Sequence, residues 1–277
     1  MATLQIRLLG EFALDYDGAP LASATSPRQQ TLLAYLVLHQ GAPVSRRRLA
    51  YGLWPDSTEA QARTNLRNLL HNLLATLPGG EHFVLSGTQT LQWRSAAPFW
   101  LDVDAFKAAA PSGGVPALER AANLYRGELL PDCYEDWAAV ERLQLEQLYG
   151  DILQRLIDLL AAQGSYRQAI AYASRLVRLD PLNEDACRRL MRLHALNGDR
   201  PGVRRAYLEC ASGLQREMAV TPSCQTRAVY ESCMRIDSPV ESAVRLARPA
   251  RSAARRDEPA PSRDRPTRTP APAAVPA

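Results

Sequence analysis

The hydrophobic period of this 277-residue chain changes once, near Asp102, and that change constrains the fold more than any single motif. Before it, "LQIRLLGEFALDYDGAPL" alternates apolar and polar residues and breaks at Asp17 and Gly18, which predicts two short strands around a turn. From Ser26 the pattern turns helical: Ser-Pro supplies an N-cap and a first-turn proline, and Leu32, Leu33, Leu36 and Val37 share one face as far as Gly41. Ser45 is expected to cap a second helix, "RRRLAYGLW", ended by Pro55, and Asp56 or Ser57 to cap a third. After "LPGG", the runs "HFVLS" and "TLQWR" flank Gly87 and read as a hairpin. Strands, three helices and a terminal hairpin within residues 1–97 are the order of a winged helix, whose third helix enters the major groove of DNA.

Beyond Asp102 the strand signals stop. "SYRQAIAYASRLVRLDP" and "LNEDACRRLMRLHALNG" carry helix-length apolar periodicity, separated by Pro181 and closed by Gly198. Gly164 and Gly198 stand 34 residues apart, the period of a tetratricopeptide helix pair. The first repeat is well formed, with Gly164, Tyr166, Ala169 and the closing Asp180 and Pro181. The second runs on into "GLQREMAVTP", which predicts a short stack with an atypical end. The expected fold is therefore mainly α: an N-terminal winged helix (α+β), then an all-α, tetratricopeptide-like stack over residues 98–238. Residues 239–277 are rich in Pro, Ala and Arg, poor in large apolar side chains, and expected to be disordered.

Charge follows the same division. From Val240 onward eight Arg face four acidic residues, a net of +4 that equals the charge of the whole chain, so residues 1–239 are neutral and any basic surface is local. The tail is either a solvated extension or a weak, salt-sensitive attraction for nucleic acid. Five Cys without a C-x-x-C pair read as reduced, mostly buried thiols. No secretory leader opens the sequence and no apolar window approaches bilayer length, so a soluble, cytoplasmic protein with no membrane association is expected.

No catalytic constellation is visible. A phosphate loop needs a lysine, and Lys107 stands alone; His39, His71, His82 and His194 lack metal-ligand spacing. An enzyme, a cofactor and a metal site are not expected. Asp132, Glu135 and Asp136 read either as paired carboxylates or, more simply, as residues flanking and capping a helix that starts near Tyr134, with Trp137 anchoring that helix against the neighbouring domain. Tyr166, Tyr172 and Tyr207 either line a concave groove of the stack or pack between its helices.

The third helix holds "ARTNLRNLLHNLLATL", residues 62–77. At 100° per residue Leu66, Leu69, Leu70, Leu73, Leu74 and Leu77 fall within an arc of about 140°, the core face. The opposite face presents Gln61, Thr64, Asn65, Arg67, Asn68, His71 and Asn72, a surface able to specify bases: Asn can bond adenine twice and Arg67 can take guanine. Thr64, Asn65, Arg67, Asn68, His71 and Asn72 are the candidates for base readout; Arg47, Arg48, Arg63 and Arg94 are those for the DNA backbone, with Arg46 set aside because it opens its helix against the dipole. The alternative reading is a solvated helix flank on a module that binds protein.

Several separated stretches, "LYRGELLP" (124–131), "EDWAAVERLQL" (135–145), "GSYRQAIAYASRLVRLDPLNEDACRRLMRL" (164–193) and "EMAVTPSCQTRAVYE" (217–231), occur in the order found in the bacterial transcriptional activation domain. Over residues 4–235 the chain resembles the SARP-type antibiotic regulatory proteins, in which that domain follows a response-regulator type winged helix. The resemblance implies a transcriptional activator that binds direct repeats in double-stranded DNA near a promoter as a homodimer on tandem sites, and recruits RNA polymerase. The chain departs from the family where an Arg-rich helix end is replaced by His71, Asn72, Leu74 and Ala75, and where Ala219 replaces a Gly before the "V-x-P" turn. A larger ATP-dependent regulator is not expected, because the tail arrives before any nucleotide motif.

Overall fold

The computed structural model describes residues 3–21, 26–109 and 113–235; the tail expected to be disordered lies outside the described residues. Among them, no helix is long and apolar enough to cross a membrane. Strands β1 (Leu4–Arg7), β2 (Ala13–Tyr16) and β3 (Ala19–Pro20) open the chain. The expected turn joins β2 to β3, with Asp17 at φ 53° and Gly18 at φ 81°, the left-handed pair that suits the twist of a tight hairpin. β1 adds to this pair, its alternation putting Leu4 and Ile6 into the core.

Helix α1 (Pro27–Leu38) begins as its sequence predicts. The Ser26 hydroxyl accepts from Gln29 N, and Ser26 N donates to the Gln29 side chain at 2.6 Å, a reciprocal cap. The next two caps differ from expectation. Ser45 precedes α2 (Arg46–Leu53) but makes no side-chain cap bond, because it belongs to a short strand β4 (Val44–Ser45) paired with the hairpin; Arg46 N is satisfied by Gln89 O at 2.9 Å instead. For α3 (Glu59–Thr76) the cap is Thr58, not Asp56 or Ser57, since Ser57 N is bonded to Trp54 O in the turn that ends α2.

The hairpin consists of β5 (Val84–Ser86) and β6 (Thr90–Trp93), with β4 as its third strand in the order β4-β6-β5. Trp93 is fully buried between Phe83, stacked at 5.5 Å, and Phe99, edge-on at 5.5 Å. Gly80 lets the chain turn back against the end of α3, where a Cβ would lie 2.2 Å from Leu74 O. A further strand, β7 (Phe99–Leu101), runs parallel to β1 and completes the sheet β3-β2-β1-β7. It lies past the division expected after residue 97, so the N-terminal sheet extends to Leu101.

Asp102 opens α4 (Asp102–Ala109) and joins the two halves. Its buried carboxylate accepts from Leu8 N and Leu9 N at 2.9 Å and from Val103 N at 2.8 Å. Burial pushes its pKa up, outweighing the pull of those three amides. Nearby, Leu9 bridges Leu129, Leu130 N donates to Leu8 O, and Gly10 N donates to Glu128 O. Arg142 holds the same loop by donating to the carbonyls of Leu129, Leu130 and Cys133.

The rest is helical, as expected: α5 (Val115–Leu124), α6 (Asp136–Ala162), α7 (Tyr166–Leu179), α8 (Glu184–Leu196), α9 (Arg200–Met218) and α10 (Cys224–Met234). Gly164 and Gly198, at φ 73° and 74°, terminate α6 and α8 in the left-handed conformation, so the 34-residue spacing marks two stacked helix pairs. α9 runs on for 19 residues and α10 closes the stack against α8 and α9. Trp137 anchors α6 on the N-terminal half, its ring edge-on to Tyr35 at 5.2 Å. Glu135 occupies the N-cap of α6 but, contrary to expectation, its side chain does not cap. Tyr207 stacks on Tyr230 at 4.2 Å, and Tyr172 reaches Glu119 at 3.4 Å and lies under Arg175, so these two rings pack between elements. All five Cys are free and four are buried.

Candidate nucleic-acid interface

The leucine stripe decides how α3 sits. Leu66, Leu70, Leu73 and Leu77 are buried and Leu69 and Leu74 half-buried, which turns the opposite, polar face to solvent. Thr64, Arg67, Asn68, His71 and Asn72 are exposed and Asn65 is half-exposed. The structure separates these six by what they already bond. The Thr64 hydroxyl donates to Ala60 O at 3.0 Å, and Asn65 accepts from Gln61 at 2.9 Å. Among the described residues, the side chains of Arg67, Asn68, His71 and Asn72 have no hydrogen-bond or ion-pair partner. Their donors and acceptors remain available to a molecule outside the chain.

A groove of about 610 Å³ runs along this helix, between it, the start of α2 and the hairpin turn at residues 87–89. Arg46, Arg47, Arg63 and Arg67 line it, with His71 toward one end. Arg46 serves the groove indirectly. Its Nε donates to Gly87 O at 2.9 Å and its guanidinium to Ser86 Oγ at 2.6 Å, fastening the hairpin turn across from α3. Partial burial, and then the like charge of Arg67, pull the Arg46 pKa below its ordinary value. Two guanidinium groups that repel across a groove gain when an anion enters it.

The four backbone candidates are not equivalent. Arg47 and Arg63 flank the groove and share Glu59, at 3.5 and 2.7 Å, in exposed pairs that cost little to exchange for phosphate. Arg48 does not line the groove; it is shared between a cleft toward α1 and α6 and another against the first turn of α3. Arg94 follows β6 at the base of the hairpin, about 16 Å of strand from its turn. The wing contributions of Thr88 and Gln89 and the fastening role of Arg46 are not legible in the sequence. Only Gly87 marked the turn, and nothing local announces that a residue 41 positions away will hold it.

Comparison with known proteins gives this surface its context. Residues 102–233 match the bacterial transcriptional activator domain family. The transcriptional regulatory protein MoaR1 of Mycobacterium bovis (strain BCG / Pasteur 1173P2) is 27% identical over 260 residues, covering 84% of this chain and 79% of its own length. Regulatory protein AfsR of Streptomyces coelicolor is 25% identical over 245 residues, again 84% of this chain, which spans only 24% of AfsR. The solved structure of Mycobacterium tuberculosis EmbR in complex with a low affinity phosphopeptide superposes with a TM-score of 0.67 at 20% identity, over 89% of this chain and 70% of that one, a likeness of fold.

Proposed function

We propose that the chain, whose residues 102–233 match the bacterial transcriptional activator domain and which is similar to regulators of the SARP type, is a transcriptional regulator that acts by laying α3 in the major groove of double-stranded DNA. In this reading Arg67, Asn68, His71 and Asn72 meet base edges, Thr64 and Asn65 flank them, Arg47 and Arg63 take phosphates on either side, and Arg94 takes one further out along the backbone, while Arg48, outside the groove, stands apart from this contact. The observation that carries it is the set of unbonded side chains on α3 beside a groove lined with arginine. Three phosphate contacts give a salt slope of only about −3 per subunit, so one subunit grips weakly. Tandem binding as a homodimer on direct repeats raises apparent affinity by about 10² to 10⁴ where the geometry permits, and recruitment of RNA polymerase is the activating step, carried by the helical domain.

Fluorescence anisotropy of the full chain, on DNA upstream of its neighbouring genes and on scrambled DNA at several salt concentrations, tests this. A preference of about 10³ or more with a shallow salt slope is expected. Equal binding to both would favour the second reading, a protein-interaction module, which the uncharged last turn of α3 supports.

A further inference from the structure

On the other side of α2 from the groove, a cleft of about 440 Å³ opens between α1, α2 and the first turn of α6. Its size and its place between two halves of the chain suit a small-molecule site. The walls are aromatic: Tyr35 of α1, Tyr51 of α2, and Tyr134 and Trp137 at the start of α6. Tyr35 and Trp137 form a packed floor, edge-on at 5.2 Å. Tyr51 and Tyr134, one from each half, form the lips and are 72% and 88% exposed. Two tyrosines held open over an aromatic floor leave ring faces for a guest to cover.

The charges narrow the guest. Glu135 and Asp136 line the cleft, and among the described residues neither carboxylate has an ion-pair or hydrogen-bond partner. Glu135 is free because it stands at the N-cap of α6 without using its side chain as the cap. Arg48 is the one cation in the lining, set on α2 across from α6. Aromatic faces attract a cation through their quadrupoles, and the carboxylates add direct pairing.

We infer that this cleft binds a flat aromatic molecule carrying a cationic amine, the amine against Glu135 and Asp136, the ring system between Tyr51, Tyr134 and Trp137. An acceptor oxygen at the far end of the guest would meet Arg48. Such a ligand touches α2, which adjoins the DNA groove, and α6, which belongs to the activator domain, and so ties the two halves together. The inference stands whether or not α3 reads DNA.

Isothermal titration calorimetry of the full chain with tryptamine, indole and indoleacetate tests it, because the three share a ring and differ in charge. Tryptamine is expected to bind at least about tenfold tighter than the other two. Glu135→Gln with Asp136→Asn should bring it down to the level of indole, and Tyr51→Ala with Tyr134→Ala should weaken tryptamine and indole alike. The substituted side chains make no bonds within the fold, so unchanged melting of both double variants is the control. Absence of tryptamine binding, equal binding of all three probes, or a preference for the amine that survives loss of both carboxylates would overturn the inference.

Discussion

Helices α3 and α8 are both amphipathic, yet they use their polar side chains in opposite ways. On α8 nearly everything polar is bonded inward. Asn183 caps Asp185 N and Ala186 N at 3.1 Å, Glu184 accepts from Ser223 N at 2.9 Å, and Arg188 donates to Thr226 Oγ1 at 2.9 Å and pairs with Asp185. Arg189 pairs with Asp158, and His194 meets Asp199 at 2.9 Å. On α3 the bonds lie at the two ends, in the first turns and at Thr76, whose hydroxyl donates to Leu73 O at 2.7 Å, and from Arg67 to Asn72 the polar face has no partner among the described residues. A polar side chain bonded within the fold contributes to stability; one left free contributes only when something else arrives. Substitutions in the two regions should therefore register in different experiments.

The largest effect is expected at the junction. Asp102→Ala leaves the amides of Leu8 and Leu9 buried without acceptors, at a cost of about 1–3 kcal/mol for each unsatisfied donor. A loss of about 3 kcal/mol in urea unfolding is expected, and a change under 1 kcal/mol would show that water or a shifted backbone replaces the carboxylate. Next is Arg188→Ala, which strips the fully buried Thr226 of its charged donor and should cost about 2 kcal/mol. Binding to DNA by the folded fraction should be unaffected. If affinity falls with stability, the helical stack takes part in DNA contact and the contrast between α3 and α8 fails.

Arg67→Ala should behave in reverse. Stability should stay within about 0.5 kcal/mol, as for an exposed side chain without partners, while binding weakens by about 1–3 kcal/mol at a preferred base pair. An equal loss on every sequence would place Arg67 on phosphate and leave readout to Asn68, His71 and Asn72.

How far the sequence shows these roles depends on how local each cause is. The cap at Ser26, the turn at Asp17 and Gly18, and the helix stops at Gly164 and Gly198 could be read because each is decided by a few neighbouring residues. Strands β4 and β7 could not: two or three residues have no period, and they become strands only by pairing with β6 and β1. Ser45 looked like a cap for the same reason that it is not one, since the chemistry is right but β4 claims its backbone. At the candidate interface, helical spacing alone turned the polar face of α3 outward. Which of those residues were already bonded, and that Arg46 would hold the wing, depended on contacts across the fold.

The smallest effect should come from Ala219, where stability and binding separate most cleanly. α9 ends there in a left-handed cap: Ala219 lies at φ 54°, its N–H bonded to Gln215 O at 3.1 Å, and Val220 N reaches Leu214 O at 3.4 Å. That pair of bonds needs positive φ at its centre, and a Cβ there costs about 1 kcal/mol that glycine avoids. Glycine also loses more freedom on folding, which offsets part of the gain. Ala219→Gly should therefore stabilise the chain by about 0.5–1 kcal/mol, seen as a higher urea midpoint with an unchanged slope. The substitution removes strain from the helical stack and touches nothing on α3. DNA affinity should stay the same, and any change in it would mean that the stack and α3 are coupled.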